Sequence, residues 1–301
     1  MFVFAALSFL GDVQAIRQSL LSFGWGTLGV ALLLVLGNYG LRFLRWQYYL
    51  RLLGVSVPTG LSALVFTAGF VMSVTPGKMG EVFKSWLLYE YRQIRVARTA
   101  SIVVAERLLD LVALVVLVSA GSAAFERGRA VAVVGAAVVA GVVAVCTVRP
   151  LGEWLLSLLA RIRWVSRIVP RLREAYDALS TLTRPRALLV GSSYAIAGWA
   201  LECVAALILV RGFEDAVVRW EAATFSYAAG TLAGAIAMLP GGLGVAEVGM
   251  SGLLRATSPS LSIETAAAAT ILIRLSTLWF GVALGGLALI ILRRAMRPAR
   301  L

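Results

Sequence analysis

Two apolar stretches of this chain, each long enough to enter a membrane, are interrupted by a proline–glycine break. The first break reads TPGKMGE at 75–81, and the second reads LPGGLG at 239–244. Backbone that leaves the helix inside lipid is tolerated only where it is buried in protein or lines a wet cavity. Paired, interrupted segments of this kind are the best sequence pointer to the binding site of a membrane transporter.

The rest of the sequence is typical of a multi-pass helical membrane protein. Hydrophobic residues make up 60% of the chain, and the mean hydropathy is +0.89. The uninterrupted runs that are long enough to cross a bilayer are 22–41, 99–121, 130–148, 187–210 and 265–292. Residues 1–10 are too short to cross and are expected to form a partial or interfacial helix. Trp25, Trp46, Tyr48 and Trp220 are interpreted as interfacial residues.

The net charge of +13 is interpreted as membrane topology and not as nucleic-acid binding. The basic residues lie between apolar runs, and no soluble segment is large enough for a nucleic-acid-binding fold. Cytoplasmic loops are enriched in Arg and Lys, so both flanks of the first break and the C-terminus are predicted to be cytoplasmic. The residues concerned are Arg42, Arg45, Arg51, Lys84, Arg92, Arg95, Arg98, Arg293, Arg294, Arg297 and Arg300.

Each broken stretch is predicted to be a re-entrant helical hairpin, because its two flanks lie on one side of the membrane. The first hairpin enters from the cytoplasm and the second from outside. We therefore predict an all-α polytopic fold with one domain over 1–301, in which two inverted repeats of span, re-entrant hairpin and span cover about 22–121 and 187–292. A further span and an amphipathic cytoplasmic connection at 130–186 join them. Spacing supports the pairing, since Pro76 and Arg107 are 31 residues apart and Pro240 and Arg274 are 34 apart.

Charged residues within the spans form a predicted buried network. Each would cost about 2.5–3.5 kcal/mol at the bilayer centre unless it is paired or hydrated. One interpretation is structural: Arg107 and Asp110 lie three residues apart on one helical face, and Glu106 pairs with another helix. For Glu202, which has no complement nearby in sequence, packing and function stay open. The network consists of Glu106, Arg107, Asp110, Glu202 and Arg274.

The other interpretation is a cationic cavity that binds phosphate. A helix that starts after each break offers free amides and the positive end of its dipole to an anion. Lys78, Arg107 and Arg274 would make the cavity cationic. The carboxylates near the breaks would tie down these arginines, cap the helices or carry protons, and the sequence does not choose among these roles. The predicted substrate-binding residues are Pro76, Gly77, Lys78, Glu81, Lys84, Arg107, Pro240, Gly241, Gly242, Glu247 and Arg274.

Enzymatic chemistry is not expected. The chain has no histidine, which is the commonest general base and metal ligand, and both cysteines lie inside apolar runs, where packing is their usual role. Glu106 and Asp110 are the best candidates for a metal that acts on a lipid phosphate, but two carboxylates are a poor ligand set. No cofactor, metal site or disulfide is predicted.

Four motifs together resemble the lysylphosphatidylglycerol synthase transmembrane family, also called flippase-like domain proteins. They are the two breaks, ERLLD at 106–110 and IRL at 273–275. The resemblance implies an integral inner-membrane protein that moves polar-headed lipids between leaflets, as the membrane domain of the multiple peptide resistance factor does for aminoacylated phosphatidylglycerol. Because no soluble domain follows Leu301, it implies a translocase without the synthase activity.

Three hypotheses of function follow. The leading one is translocation of a lipid whose headgroup carries phosphate, by rocking of the inverted halves. The alternative is a non-transporting membrane partner of a glycosyltransferase or aminoacyltransferase that acts on lipid-linked substrates, and the third is an intramembrane enzyme that acts on a lipid phosphate. The expected partners are the membrane and a phospholipid or polyprenyl-phosphate-linked lipid. A lipid-modifying enzyme and a second copy of the chain stay open as partners, and nucleic acid is not expected.

Overall fold

The computed structural model describes residues 13–75, 79–125, 179–214 and 216–295, together with isolated positions between 130 and 177. These described residues form helices and no β-strand. Residues 1–10, most of the predicted joint at 130–186, and three of the predicted site residues lie outside the described part of the chain. Those three are Pro76, Gly77 and Lys78.

The described helices fall into two halves. The first half contains α1 (Val13–Leu21), α2 (Gly26–Leu52), α3 (Thr59–Ala68), α4 (Phe83–Arg92) and α5 (Val96–Ser122). The second half contains α6 (Pro185–Arg211), α7 (Trp220–Ile236), α8 (Val245–Thr257), α9 (Ile263–Arg274) and α10 (Phe280–Ala295). Short 3₁₀ turns, Gly69–Val74 and Met79–Val82, flank the first break, and a π-helical segment, Leu275–Trp279, joins α9 to α10.

Three described helices are long and apolar enough to cross a membrane: α2, α6 and the continuous run of α9, the π segment and α10. Helix α5 is also 27 residues long but has charged side chains in its middle. A helix of this length measures about 40 Å, which exceeds the hydrocarbon core of a bilayer. The chain is therefore an all-α polytopic membrane protein, as the sequence predicted.

The first spans of the two halves, α2 and α6, pack antiparallel through small residues. Gly191 of α6 lies directly against the hydroxyl of Tyr49, and Gly198 lies against Asn38. The Asn38 side-chain amide donates a hydrogen bond of 2.8 Å to the carbonyl of Gly198. Small residues let helix backbones approach closely, which drives helix association where lipid surrounds the protein. This helix pair defines two opposite ends of the molecule.

The two broken stretches form hairpins whose bases lie at opposite ends of the α2–α6 pair. The first hairpin, α3 to α4, has its base where α2 ends, and there Arg98 of α5 bonds to the α2–α3 turn. The second, α7 to α8, has its base where α2 begins, and there the rings of Phe23 and Phe213 lie 5.0 Å apart. Their tips meet between the two ends, because a Cβ on Gly241 would lie 3.5 Å from the Cα of Val74.

Each hairpin also packs against the last span of the other half. Helix α3 packs on α10, where Gly285 lies against the backbone of Thr67, and α7 packs on α5, where Gly121 lies against the backbone of Phe225. The two halves are therefore interlocked. This arrangement agrees with the predicted inverted repeat, but the repeat itself and its re-entry from opposite faces of a membrane stay predictions.

Two interpretations made from sequence, the end of the first span and the position of Trp46, are wrong for helix α2. It continues to Leu52 and does not end near residue 41, because Arg42 and Arg45 lie within the helix and pair with acids on other segments. Arg45 is therefore buried and Arg42 is only 11% exposed on its side chain, and neither flanks the span. Trp46, interpreted as an interfacial residue, is fully buried, and its indole N–H donates to the hydroxyl of Ser62 at 3.1 Å.

Exposed arginines are nonetheless concentrated at the end of the molecule where α2 finishes, which we call the basic end. Helix α6 begins there, α10 runs back along α3 to the same end, and the base of the first hairpin lies there as well. The opposite end mixes arginines with Glu214, Glu221 and Glu264. The exposed residues of the basic end are Arg51, Arg92, Arg95, Arg98, Arg184, Arg186, Arg293 and Arg294.

Candidate functional site

A group of buried ionised side chains, the first-break cluster, surrounds the first hairpin. Helix α5 supplies its acids: Asp110 contacts Arg45 at 2.9 Å and Arg107 at 3.0 Å, while Glu106 contacts Lys84 at 2.7 Å. The predicted pairing of Arg107 with Asp110, and of Glu106 with another helix, is confirmed. The described members of the cluster are Arg42, Arg45, Glu81, Lys84, Glu106, Arg107 and Asp110.

Glu81, which follows the first break directly, is shared among cations from three elements. Its carboxylate lies 3.1 Å from Arg107, 3.6 Å from Arg42 and 3.7 Å from Lys84. The ammonium of Lys84 also lies over the ring of Trp46, 4.8 Å from its centroid. Charges removed from water need partners of opposite sign and hydrogen bonds to be tolerated. This cluster supplies both inside a helical bundle.

The second break is held by one carboxylate and one arginine, Glu247 and Arg274, which we call the second-break pair. Arg274 donates from Nε to Glu247 at 2.6 Å and from Nη2 to the carbonyl of Gly241 at 2.5 Å. The other oxygen of Glu247 accepts the backbone N–H of Gly244 at 2.6 Å, which caps the start of α8. Glu247 therefore both fixes the arginine and caps the helix, two of the three roles that the sequence left open.

The carboxylate and the arginine recur at nearly the same spacing in both halves. Glu81 and Arg107 are 26 residues apart, and Glu247 and Arg274 are 27 apart. This spacing agrees more closely than the proline-to-arginine spacing noted in the sequence. In both halves the carboxylate follows the break and anchors an arginine of the next long helix.

Arg107 and Arg274 converge on one cavity of about 250 Å³ at the meeting point of the two hairpin tips. We call it the tip cavity. Gly241 and Gly242 of the second break form part of its wall, and Thr75 of the first break forms another part. Helices α5, α6 and α7 complete the wall, largely with apolar or small side chains. Asp110 also lines the cavity, 3.0 Å from Arg107. Two arginines and one carboxylate in an otherwise largely apolar enclosure suit an anionic group attached to an apolar body.

A second, smaller space of about 40 Å³ lies next to the tip cavity. We call it the polar chamber. It shares Trp199, Thr231 and Arg274 with the tip cavity, so these side chains form the partition between the two. Its remaining lining residues are Tyr39, Arg42, Phe70, Ser73, Glu202, Tyr227, Thr277, Leu278 and Gly281. The Tyr227 hydroxyl donates to the buried carboxylate of Glu202, a contact that sequence reasoning did not find.

The chain matches a family model described as lysylphosphatidylglycerol synthase TM region over residues 1–285. This chain belongs to that family. The resemblance drawn from the four motifs is thereby confirmed, and the chain is a flippase-like, multi-pass membrane protein. A comparison with curated proteins finds no match.

For this flippase-like domain, the structure brings together only part of the predicted binding set. Arg107, Arg274, Gly241 and Gly242 line the tip cavity. Behind that wall, Glu81 and Glu247 hold the arginines. Lys84 is buried in the first-break cluster, and neither Lys84 nor Pro240 is among the lining residues, so a substrate role for these two stays a prediction.

Residues that the sequence interpretation did not assign to the site also line these spaces. Arg42 was interpreted as a topology signal, and Trp199 and Thr231 were not singled out, yet all three border the polar chamber. A charged residue that continues the helical pattern of a span, as Arg42 does, was the one available signal. Glu106 and Asp110 each face cations, and among the described residues no group of three acidic or cysteine side chains could hold a metal.

Proposed function

We propose that this protein translocates lipids with a phosphate-containing headgroup between the two leaflets of a membrane. The observation that carries the proposal is the tip cavity, in which one arginine from each half faces the same 250 Å³ space. Guanidinium groups are suited to phosphate because their fork of N–H donors matches two oxygens at once. Family membership supports lipid translocation in general, and the arginine pair supports phosphate as the recognised group.

Arg107 has hydrogen-bonding capacity left for such a ligand. Its side chain is 20% exposed, compared with 9% for Arg274. Its Nε is buried and has no hydrogen-bond partner among the described residues. A buried donor without a partner is costly, so an acceptor oxygen that enters the cavity would stabilise it. We infer that Arg107 binds the headgroup first and that Arg274 then binds it as well.

The wall of the tip cavity also suits the acyl chains of the ligand. Leu111 and Leu114 of α5 line one side, and Met238 and Leu239 before the second break line another. Met238 and Leu239 are themselves exposed. A lipid can therefore place its headgroup on the arginines while its chains remain in contact with apolar surface and bilayer.

The charge distribution supports an orientation for this transport. Because basic segments face the cytoplasm, we infer that the basic end and the C-terminus are cytoplasmic. From the family resemblance, and not from charge, we also infer that the membrane is the inner membrane of a bacterium. The first hairpin would then open toward the cytoplasm and the second toward the outside. Rocking of the interlocked halves around the tip cavity would expose it alternately to each side.

Leaflet exchange in liposomes tests this function directly. The purified protein is reconstituted with headgroup-labelled phosphatidylglycerol or with a labelled polyprenyl phosphate, and exchange is followed by quenching of the label in the outer leaflet. We expect the wild type to accelerate exchange of at least one of these lipids, and we expect Arg107→Gln and Arg274→Gln to abolish the acceleration. Arg51→Gln, which removes an exposed arginine of the basic end, is the matched control and should exchange normally.

Absence of exchange for both lipids, from wild-type protein that is folded by circular dichroism, would contradict the proposal. That result would favour the alternative function, a non-transporting partner that presents lipid to a glycosyltransferase or aminoacyltransferase. That alternative predicts that such an enzyme stays bound to the protein through purification. Exchange that persists in both arginine variants would keep translocation but reject the tip cavity as its site.

A further inference from the structure

We propose that the polar chamber is the second position of the headgroup during translocation, and that Arg42 takes over the phosphate there from Arg107. This inference rests on the proposed function and adds a binding position to it. In this scheme Arg274 contacts the phosphate in both positions, because it borders both spaces. Arg107 would be the ligand of the first position and Arg42 the ligand of the second.

The contiguity of the two spaces is the first observation. Trp199, Thr231 and Arg274 border both the tip cavity and the polar chamber. The Thr231 hydroxyl is buried and has no hydrogen-bond partner among the described residues. A polar donor without a partner at the partition is expected to bond a group that passes between the two spaces. We therefore expect the headgroup to cross at the partition.

Glu81 is the second observation, because it joins the two arginines that would exchange the phosphate. One carboxylate oxygen lies 3.1 Å from Arg107, and the other lies 3.6 Å from Arg42. Arg107 faces the tip cavity and Arg42 faces the polar chamber. A phosphate that engages one arginine competes with Glu81 for it, and the carboxylate can then compensate the other arginine. The carboxylate would alternate between them as the phosphate moves.

Arg42 also differs from its neighbour Arg45 in a way that suits a ligand. Arg45 is fully buried and contacts Asp110 at 2.9 Å, a normal charge-assisted hydrogen bond. Arg42 is 11% exposed on its side chain, and 3.6 Å to Glu81 is too long for a hydrogen bond. Its guanidinium carbon lies 5.3 Å from the centroid of Phe70 in the chamber wall. Arg45 is thus held in the bundle, whereas Arg42 retains donors that a phosphate can use.

The chamber must open to admit a headgroup, and its wall contains a segment suited to that change. Its volume of about 40 Å³ is close to that of one water molecule. Thr277 and Leu278 of the wall belong to the π-helical segment that follows Arg274 directly. The hydroxyl of Tyr39 on α2 donates to the carbonyl of Thr277 at 2.7 Å and ties this segment to the first half. π-helical turns occur often at functional sites, and this one lies where the two halves meet.

The test separates binding from translocation. Affinity for dihexanoyl phosphatidylglycerol is measured on detergent-solubilised protein, and exchange of labelled phosphatidylglycerol is measured in liposomes. For Arg42→Gln we expect exchange to slow at least about tenfold, the size of one lost charged hydrogen bond. Affinity should fall less than in Arg107→Gln, because Arg107 still lines the first position although Glu81 couples the two arginines. Arg107→Gln should lose both affinity and exchange, and Arg51→Gln should keep both at the wild-type level. Arg42→Lys, which keeps the charge but not the fork, should fall between Arg42→Gln and the wild type.

Normal exchange by Arg42→Gln would overturn the inference, and so would a loss of affinity as large as that of Arg107→Gln. If Arg42→Gln does not fold, Ser73→Leu, which fills the chamber from its wall, decides: slow exchange with unchanged affinity supports the second position, and normal exchange rejects it. A wild type that exchanges no lipid would reject the proposed function and this inference together. A wild type that exchanges, with only the Arg107 variant impaired, would reject this inference alone.

Discussion

The two breaks use the same pair of side chains in different surroundings. At the second break, Glu247 and Arg274 form one pair, and each has a backbone partner besides. At the first break, Glu81 is shared by Arg107, Arg42 and Lys84 within a larger cluster of acids and bases. The same local arrangement, a carboxylate after a break and an arginine about 26 residues later, can therefore form an isolated ion pair or be part of a larger network.

The difference has consequences for stability and for ligand binding. Loss of one partner from an isolated buried pair leaves an uncompensated charge, whereas loss from a network leaves other partners in place. In addition, the arginine of the network is the more exposed of the two. In the first half, several charged partners therefore hold an arginine that still has a donor available to a ligand. In the second half, one carboxylate and one backbone carbonyl hold the arginine in a fixed geometry.

The largest effect that this comparison predicts is for Glu247→Gln. Arg274 would lose its carboxylate partner, the only one among the described residues, and the cap on α8 would weaken. The free energy of unfolding should therefore fall by about 3–5 kcal/mol. Chemical unfolding in detergent, followed by circular dichroism, measures the change. Glu214→Gln, an exposed acid of the same half, is the control and should change stability by less than about 0.5 kcal/mol.

Removal of both members of the second-break pair should be milder than removal of the carboxylate alone. In the double variant Glu247→Gln, Arg274→Gln, no buried charge remains unpaired, so we expect about 2–3 kcal/mol of the loss to be recovered. The same unfolding measurement completes a double-mutant cycle. A double variant that is less stable than Glu247→Gln would show that the pair is not isolated and would remove the contrast between the halves.

Glu81→Gln should cost less than Glu247→Gln, although its carboxylate contacts more cations. Lys84 keeps Glu106 and Arg107 keeps Asp110, whereas the partly exposed Arg42 loses the carboxylate 3.6 Å away. We therefore expect a loss of about 1.5–3 kcal/mol, the range for hydrogen bonds to charged groups. The comparison is made in one detergent under identical conditions. Equal losses in the two variants would mean that the first-break cluster gives no redundancy.

The smallest predicted effect concerns the turn of the second hairpin. Gly242 has a φ of +69° and its missing Cβ would lie 3.1 Å from the Cα of Gly234. Gly242→Ala should therefore destabilise by about 1–2 kcal/mol through the left-handed backbone. Gly252→Ala is the matched control: it lies in helix α8 with open space around it, and it should stabilise by up to about 1 kcal/mol. A neutral Gly242→Ala would show that the turn relaxes.

The candidate site could be predicted from sequence in its arginines and its breaks. The expense of charges in lipid singled out Arg107 and Arg274, and both line the tip cavity. Lys84 was also predicted to bind the headgroup; its ammonium contacts Glu106 and lies over two aromatic rings, and its substrate role stays a prediction. A lysine that faces a phosphate and one that faces a buried acid have the same sequence context, so only the packing separates them.

The fold, too, could be predicted from sequence only in part. Hydropathy predicted α6 and the last span closely, because a run of apolar residues must lie in lipid whatever it packs against. Hydropathy predicted that α2 ends near residue 41, whereas the helix continues to Leu52. The cost of Arg42 and Arg45 inside a helix is offset by Glu81 and Asp110, and these acids are far away along the chain.

The sequence by itself determined the all-α membrane fold class, the positions of the breaks and the two arginines that line the tip cavity, since each follows from a local cost of placing polar groups in lipid. Only the tertiary structure decided which acids hold Arg42, Arg45 and Lys84, that the hairpin tips meet, and that Arg42 borders the polar chamber beside Arg274. The physical reason is that electrostatic pairing depends on distance in space. Residues such as Glu202 and Tyr227 are brought into contact only when the helices that bear them pack together.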